Sequence, residues 1–139
     1  MAAIVVSVAA IQARDRVVAP SELPGAAQAL IQKHFGNNKI NHVIAEGNMF
    51  GIHEYDVTLT DGTELEFDTA GNLKEVYCSA EKGLPADMLP KGVTSYIKKY
   101  FPNQQVVKLE VKKKKYEVEL RSGVELEFDK SGNFLRADN

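Results

Sequence analysis

The chain has 139 residues, 44% of them apolar and 26% charged, and a net charge of −2 at neutral pH. That balance is ordinary for a globular protein with one or two small cores, and its slight acidity argues against a nucleic-acid footprint, which is normally basic. Cys78 is the sole cysteine, so an internal disulfide is excluded and a buried, inert thiol is expected.

The chain opens on an uncharged apolar run from Ala2 to Ile11. The run is shorter than the roughly twenty residues a membrane-spanning helix needs. It ends in Ile11-Gln12-Ala13 and turns polar at Arg14-Asp15-Arg16. Residues 1–13 read as the later part of a signal peptide whose positive start is missing, and the alternative is an N-terminal strand or core segment. An exported protein, periplasmic or secreted, is expected, with no membrane anchor in the mature chain.

A helix follows Pro24, a residue suited to the first helical turn because its missing N–H has no intrahelical partner to lose. Ala27, Leu30, Ile31, His34 and Phe35 fall at helical spacing, and Gly36 stops the run. Next come strands that alternate apolar and polar residues: Tyr55, Val57 and Leu59, then Leu65 and Phe67, should share one buried face. A three-residue loop Thr60-Asp61-Gly62 keeps that face consistent, pairing Val57 with Leu65 and Tyr55 with Phe67, with Gly62 in the left-handed position. The strand around Ile40 to Ala45 alternates too poorly for its faces to be assigned.

The pattern then recurs. Tyr55, Val57, Leu59, Gly62, Glu64, Leu65, Glu66, Phe67, Asp68, Gly71 and Asn72 return 61 positions later, from Tyr116 to Asn133. Leu23-Pro24 returns as Leu89-Pro90, and Lys33-His34-Phe35 as Lys99-Tyr100-Phe101. Val93, Tyr96, Ile97, Tyr100 and Phe101 form the second helical stripe, and Pro102 ends it. A hairpin closed over Lys112 to Lys115 pairs Val111 with Tyr116, Leu109 with Val118 and Val107 with Leu120. Self-similarity at a fixed period marks repeat architecture. The expected organisation is a first repeat over 14–78 and a second over 79–139. Together they form an α+β fold, one curved antiparallel sheet of up to eight strands with the helices on one face.

The opposite face carries Asp56, Thr58, Glu64, Glu66, Lys108, Glu117, Glu119, Glu125 and Glu127. The register sets Asp56 opposite Glu66, Glu117 opposite Glu127 and Glu119 opposite Glu125, and opposed like charges destabilise a sheet. Such a face can be a solvated surface that keeps the protein soluble, a docking face for a protein or peptide, or a cation site. For the last, the spread along the strands offers Glu64, Glu66 and Asp68, or Glu125, Glu127 and Asp129, without an Asp-rich calcium loop. His34, His42 and His53 show neither metal-ligand spacing nor a nucleophile partner, so no catalytic residue, metal set or cofactor is assigned. The Lys112–Lys115 run reads as a solvated hairpin tip that blocks edge pairing.

The motif Tyr-x-Val-x-Leu-x-x-Gly-x-Glu-Leu-Glu-Phe-Asp-x-x-Gly-Asn, behind a helix opening with Leu-Pro, resembles the PepSY-like, beta-lactamase-inhibitor-like proteins of the Bacteroidetes periplasm. The resemblance spans about Ser21 to Asp138. It implies export, helices on one side of a curved sheet, and an open face able to hold a partner. Related PepSY domains occur in peptidase propeptides that restrain proteases. Members often carry tryptophan after the final glycine turn, where this chain has Leu73 and Phe134 and no tryptophan at all. The expectation is therefore a non-enzymatic binding module recognising a protein or peptide on the acidic face, and the alternative is a small-ligand or cation binder.

Overall fold

A computed structural model describes residues 15–36 and 38–139, so the expected signal-peptide segment 1–13 lies outside them. The fold is mixed α+β, with nine strands that follow one another in chain order in an open antiparallel sheet, and two helices. Two compact units divide between Lys74 and Glu75.

The first unit comprises β1 (Arg16–Val18), α1 (Gly25–Phe35), β2 (Ile40–Asn48), β3 (Gly51–Leu59), β4 (Glu64–Phe67) and the start of β5 (Leu73–Tyr77). Pro24 caps α1 and Ala27, Ile31 and Phe35 turn fully inward. His34, expected in the core, is half-buried. β3 and β4 pair as the loop argument requires, with Tyr55 opposite Phe67 and Val57 opposite Leu65. Gly62 takes a φ of +90°, a conformation that side chains with a Cβ resist.

β2 explains its own illegibility. Bulges between Ile40 and His42 and between Glu46 and Gly47 break the alternation, and Val43, Ile44 and Ala45 are all buried. β1 adds a strand to the expected eight: Val17 and Val18 pair with Ile44 and Val43. Three residues with a single buried side chain give no periodic signal.

The second unit holds the rest of β5, α2 (Lys91–Tyr100), β6 (Val106–Val111), β7 (Lys115–Leu120), β8 (Glu125–Asp129) and β9 (Phe134–Asp138). Val111, Leu109 and Val118 pair as expected, but Val106 rather than Val107 faces Leu120. The cause is a bulge between Val106 and Lys108, which lets Val106 and Val107 both be buried. Tyr96 of α2 stacks on Phe134 at 4.3 Å between centroids and meets Phe128 edge-on at 5.5 Å. Phe134 thus serves packing against the helix and β8.

In each unit the start of the helix rests on the last glycine turn. A Cβ on Gly71 would press on Pro24 and Ala26, and one on Gly92 would strike the backbone of Gly132. The Asp-x-x-Gly-Asn motif builds these turns. Asp68 Oδ1 accepts the Ala70 and Asn72 N–H groups at 2.9 Å, and Asp129 Oδ1 accepts those of Ser131 and Asn133 at the same distance. Those backbone donors, Asn72 and Asn133 first, hold both carboxyls below the usual range. Among the described residues no helix is long and apolar enough to cross a membrane.

Candidate functional site

Pairing aligns the outward side chains of each unit into rows. In the second unit the pairs Glu75–Glu110, Glu110–Glu117 and Glu117–Glu127 set four glutamates side by side from β5 to β8, and Arg136 faces Glu127 from β9. The adjacent row runs Tyr77, Lys108, Glu119, Glu125 and Asp138. The hairpin-tip lysines answer the first row. Lys112 Nζ lies 2.5 Å from Glu117, and Lys115 Nζ lies 3.5 Å from Glu117 and 3.0 Å from Glu127. Arg136 reaches Glu127 at 3.8 Å, and Lys108 reaches Glu75 at 3.7 Å. Hydrogen bonding from Lys112 lowers the Glu117 carboxyl below its ordinary pKa. Lys112 and Lys115, at the two ends of the exposed hairpin tip, thus pair with glutamates of this row.

The first unit differs at one decisive place. Asp56 faces Glu66, and Thr58 faces Glu64, as the sequence predicts. One row further, Glu46 faces Glu54 across β2 and β3. Oxygens of Glu46, Glu54 and Asp56 lie within 4.8 Å of one another, and all three residues are half-buried. Lys74 Nζ pairs with Glu54 at 2.6 Å. Among the described residues Asp56 Oδ1, itself buried, has no hydrogen-bond partner. Burial, then the charges of Glu54 and Asp15, push the Glu46 carboxyl up. Asp15 Oδ1 in turn accepts the Gly47 N–H at 2.9 Å.

Sequence alignment by the 61-residue offset sets Glu54, Asp56 and Glu66 against Lys115, Glu117 and Glu127. Where the second unit has an ammonium between two carboxylates, the first has a third carboxylate. Sequence reasoning placed Asp56, Thr58, Glu64, Glu66, Lys108, Glu117, Glu119, Glu125 and Glu127 in this face but missed Glu46, Glu54, Glu75 and Glu110. Extending the alternation of β3 back from Asp56 finds Glu54, and that of β6 forward from Lys108 finds Glu110. Glu46 sits beside the bulge that hides its face. The carboxylates that gather are not the strand sets 64–66–68 or 125–127–129, because Asp68 and Asp129 close their own turns.

The remaining reactive groups are dispersed. Cys78 is buried, its Sγ 3.7 Å from the Gly83 carbonyl oxygen. Among the described residues no histidine or cysteine joins a group able to hold a metal.

Helices backing an antiparallel meander with a charged outer face define a class of small α+β modules. The chain belongs to the PepSY-like, beta-lactamase-inhibitor-like family, whose model matches residues 53–136. It is similar to a Bacteroides thetaiotaomicron protein described as a "putative calcium-regulated periplasmic protein". The two are 33% identical with a TM-score of 0.82, over 90% of this chain and 97% of that one. A Bacteroides vulgatus periplasmic protein of unknown function is 36% identical, TM-score 0.82, over 90% and 99% of the two chains. A second periplasmic protein of that organism is 32% identical, TM-score 0.81, over 93% and 100%. The family is thus one of periplasmic proteins. The comparison with curated proteins finds no match.

Proposed function

We propose that the protein is a non-enzymatic periplasmic binding module, built from two copies of one unit, and that its first unit takes a divalent cation at Glu46, Glu54 and Asp56. The observation that carries this reading is the buried, unpartnered Asp56 Oδ1 at the edge of three gathered carboxylates. Three carboxylates and one lysine leave an uncompensated negative charge where the matching position of the second unit holds an ammonium. Hard oxygen donors in a flexible, partly open site suit calcium, which accepts mono- or bidentate carboxylates and fills its remaining positions with water. The relative named for calcium regulation supports the choice of ion. Calorimetric titration with Ca²⁺ and Mg²⁺ tests it: saturable calcium binding is expected in the native chain and lost in Asp56→Asn. No heat and no thermal shift with either ion up to millimolar concentration would sink the reading, because a ligand of the folded state must raise its stability.

A second reading concerns the face of the second unit. In the row beside its four glutamates, Glu119 and Glu125 belong to none of the tip-lysine pairs, and Glu125 is exposed. A basic segment of a protein or peptide would find complementary charge there. Capture from a periplasmic extract by the native chain and by Glu119→Lys/Glu125→Lys separates the outcomes. A protein kept by the first and lost by the second supports the reading, and equal retention removes it.

A further inference from the structure

A cavity of about 210 Å³ opens in the second unit between α2, the segment leading into it and the start of β6. Its walls include Leu84, Leu89, Ile97 and Phe101, with Lys82 and Lys98 also lining it and no acidic residue among the lining side chains. Neither lysine is ion-paired among the described residues.

Two of its wall residues are less buried than their counterparts in the first unit. The helix offset of 66 matches Leu84, Leu89, Ile97 and Phe101 with Val18, Leu23, Ile31 and Phe35. All four of the latter are buried. In the second unit Leu89 and Phe101 are only half-buried. Val18 lies in strand β1, whereas the stretch Lys82–Leu84 belongs to no strand. This wall is nevertheless fixed. The Leu84 N–H donates to the Val106 carbonyl oxygen at 2.8 Å. Arg121 holds the carbonyl oxygens of Ala80 and Glu81 and donates to Gln105 Oε1 at 3.1 Å. A preformed apolar cavity with a few polar groups at its mouth is the usual form of a small-molecule site.

We propose that this cavity binds a small monocarboxylate with an apolar body, its chain against Leu84, Leu89, Ile97 and Phe101 and its carboxylate between Lys82 and Lys98. The volume of about 210 Å³ exceeds that of an apolar cavity of about 150 Å³ that admits benzene, which leaves room for the chain of a six- to eight-carbon acid. The site is independent of the carboxylate cluster in the first unit, and the two proposals stand or fall separately.

The test is a methyl NMR titration of the full chain with octanoate, with acetate and 1-octanol as comparisons. Saturable shifts of the Leu84, Leu89 and Ile97 methyls are expected with octanoate, with none from acetate and weaker binding of 1-octanol. Lys82→Gln and Lys98→Gln should each weaken octanoate binding about threefold, as exposed charge pairs do, and the double variant about tenfold. Added salt should weaken it as well. Absence of saturable shifts at 5 mM octanoate (about the upper limit for a specific site of this size) overturns the proposal. So does equal affinity of the double variant and the native chain.

Discussion

The two units solve the same electrostatic problem in opposite ways. Each lines up carboxylates across strands at close quarters. In the second unit Lys115, at the end of the hairpin, lies between Glu117 and Glu127 and supplies the counter-charge from within the chain. In the first, Glu54 occupies the matching position and the carboxylates meet. In the first unit Lys74 answers Glu54, and the proposed cation would neutralise the carboxylates that remain. The contrast extends to the cores: Leu23 and Phe35 of the first unit are buried, and their counterparts Leu89 and Phe101 of the second are half-buried.

The largest expected effects test whether the cores are equivalent. Phe67 and Phe128 are both fully buried, each facing the first tyrosine of its motif. Phe67→Ala and Phe128→Ala should each destabilise by about 3–5 kcal/mol, the range for a large aromatic removed from a core, measured by urea unfolding. Unequal costs would break the comparison, and the second substitution also removes the partner of Tyr96 and Phe134.

Gly92→Ala comes next. The first unit carries Ala26 at the matching place, but in the second a Cβ meets the Gly132 backbone. A loss of about 1–3 kcal/mol is expected from the forced displacement, whereas Ala26→Gly should cost no more than about 1 kcal/mol of helix propensity. Thermal unfolding of the pair decides it.

The charge exchange is sharper in direction than in size. Glu54→Lys should raise the melting temperature of the metal-free protein and remove its response to a chelator. Lys115→Glu should lower stability and leave Glu117 and Glu127 unshielded. If the chelator response survives Glu54→Lys, the cation lies elsewhere.

The smallest effect is a pH dependence. Glu46 has its pKa raised in the folded state, so between its unfolded and folded values the native chain binds more protons than the unfolded one. Its contribution to stability is full below the unfolded pKa and is lost as pH rises through the folded value. Glu46→Gln should therefore stabilise the metal-free protein at pH 7 by less than about 1 kcal/mol after solvent screening. The gain should vanish below the ordinary glutamate pKa, a difference visible in paired melting curves.

Much of this was legible in the residues. Alternation has a period of two, so a single consistent apolar face fixed the pairings Val57–Leu65 and Val118–Leu126, and loop glycines fixed the turns. Opposed charges such as Asp56–Glu66 followed from the same register. Bulges defeat that logic because one extra residue exchanges the faces beyond it. That is why the alternation does not place Glu46 and pairs Val107, in place of Val106, with Leu120; β1 is too short to show a period.

The sequence by itself determined the repeated motif, the helix and turn signals, the register of the regular strands and the acidic character of one face, since each depends on neighbours a few positions apart. Tertiary structure alone decided which carboxylates meet, which lysines answer them and where a cavity remains. Those outcomes depend on distances between side chains remote along the chain, with Glu46 meeting Glu54 across a hairpin and Arg121 holding a loop some forty residues before it. Charge interactions change over a few ångströms, a scale on which a pattern of residue types carries no information.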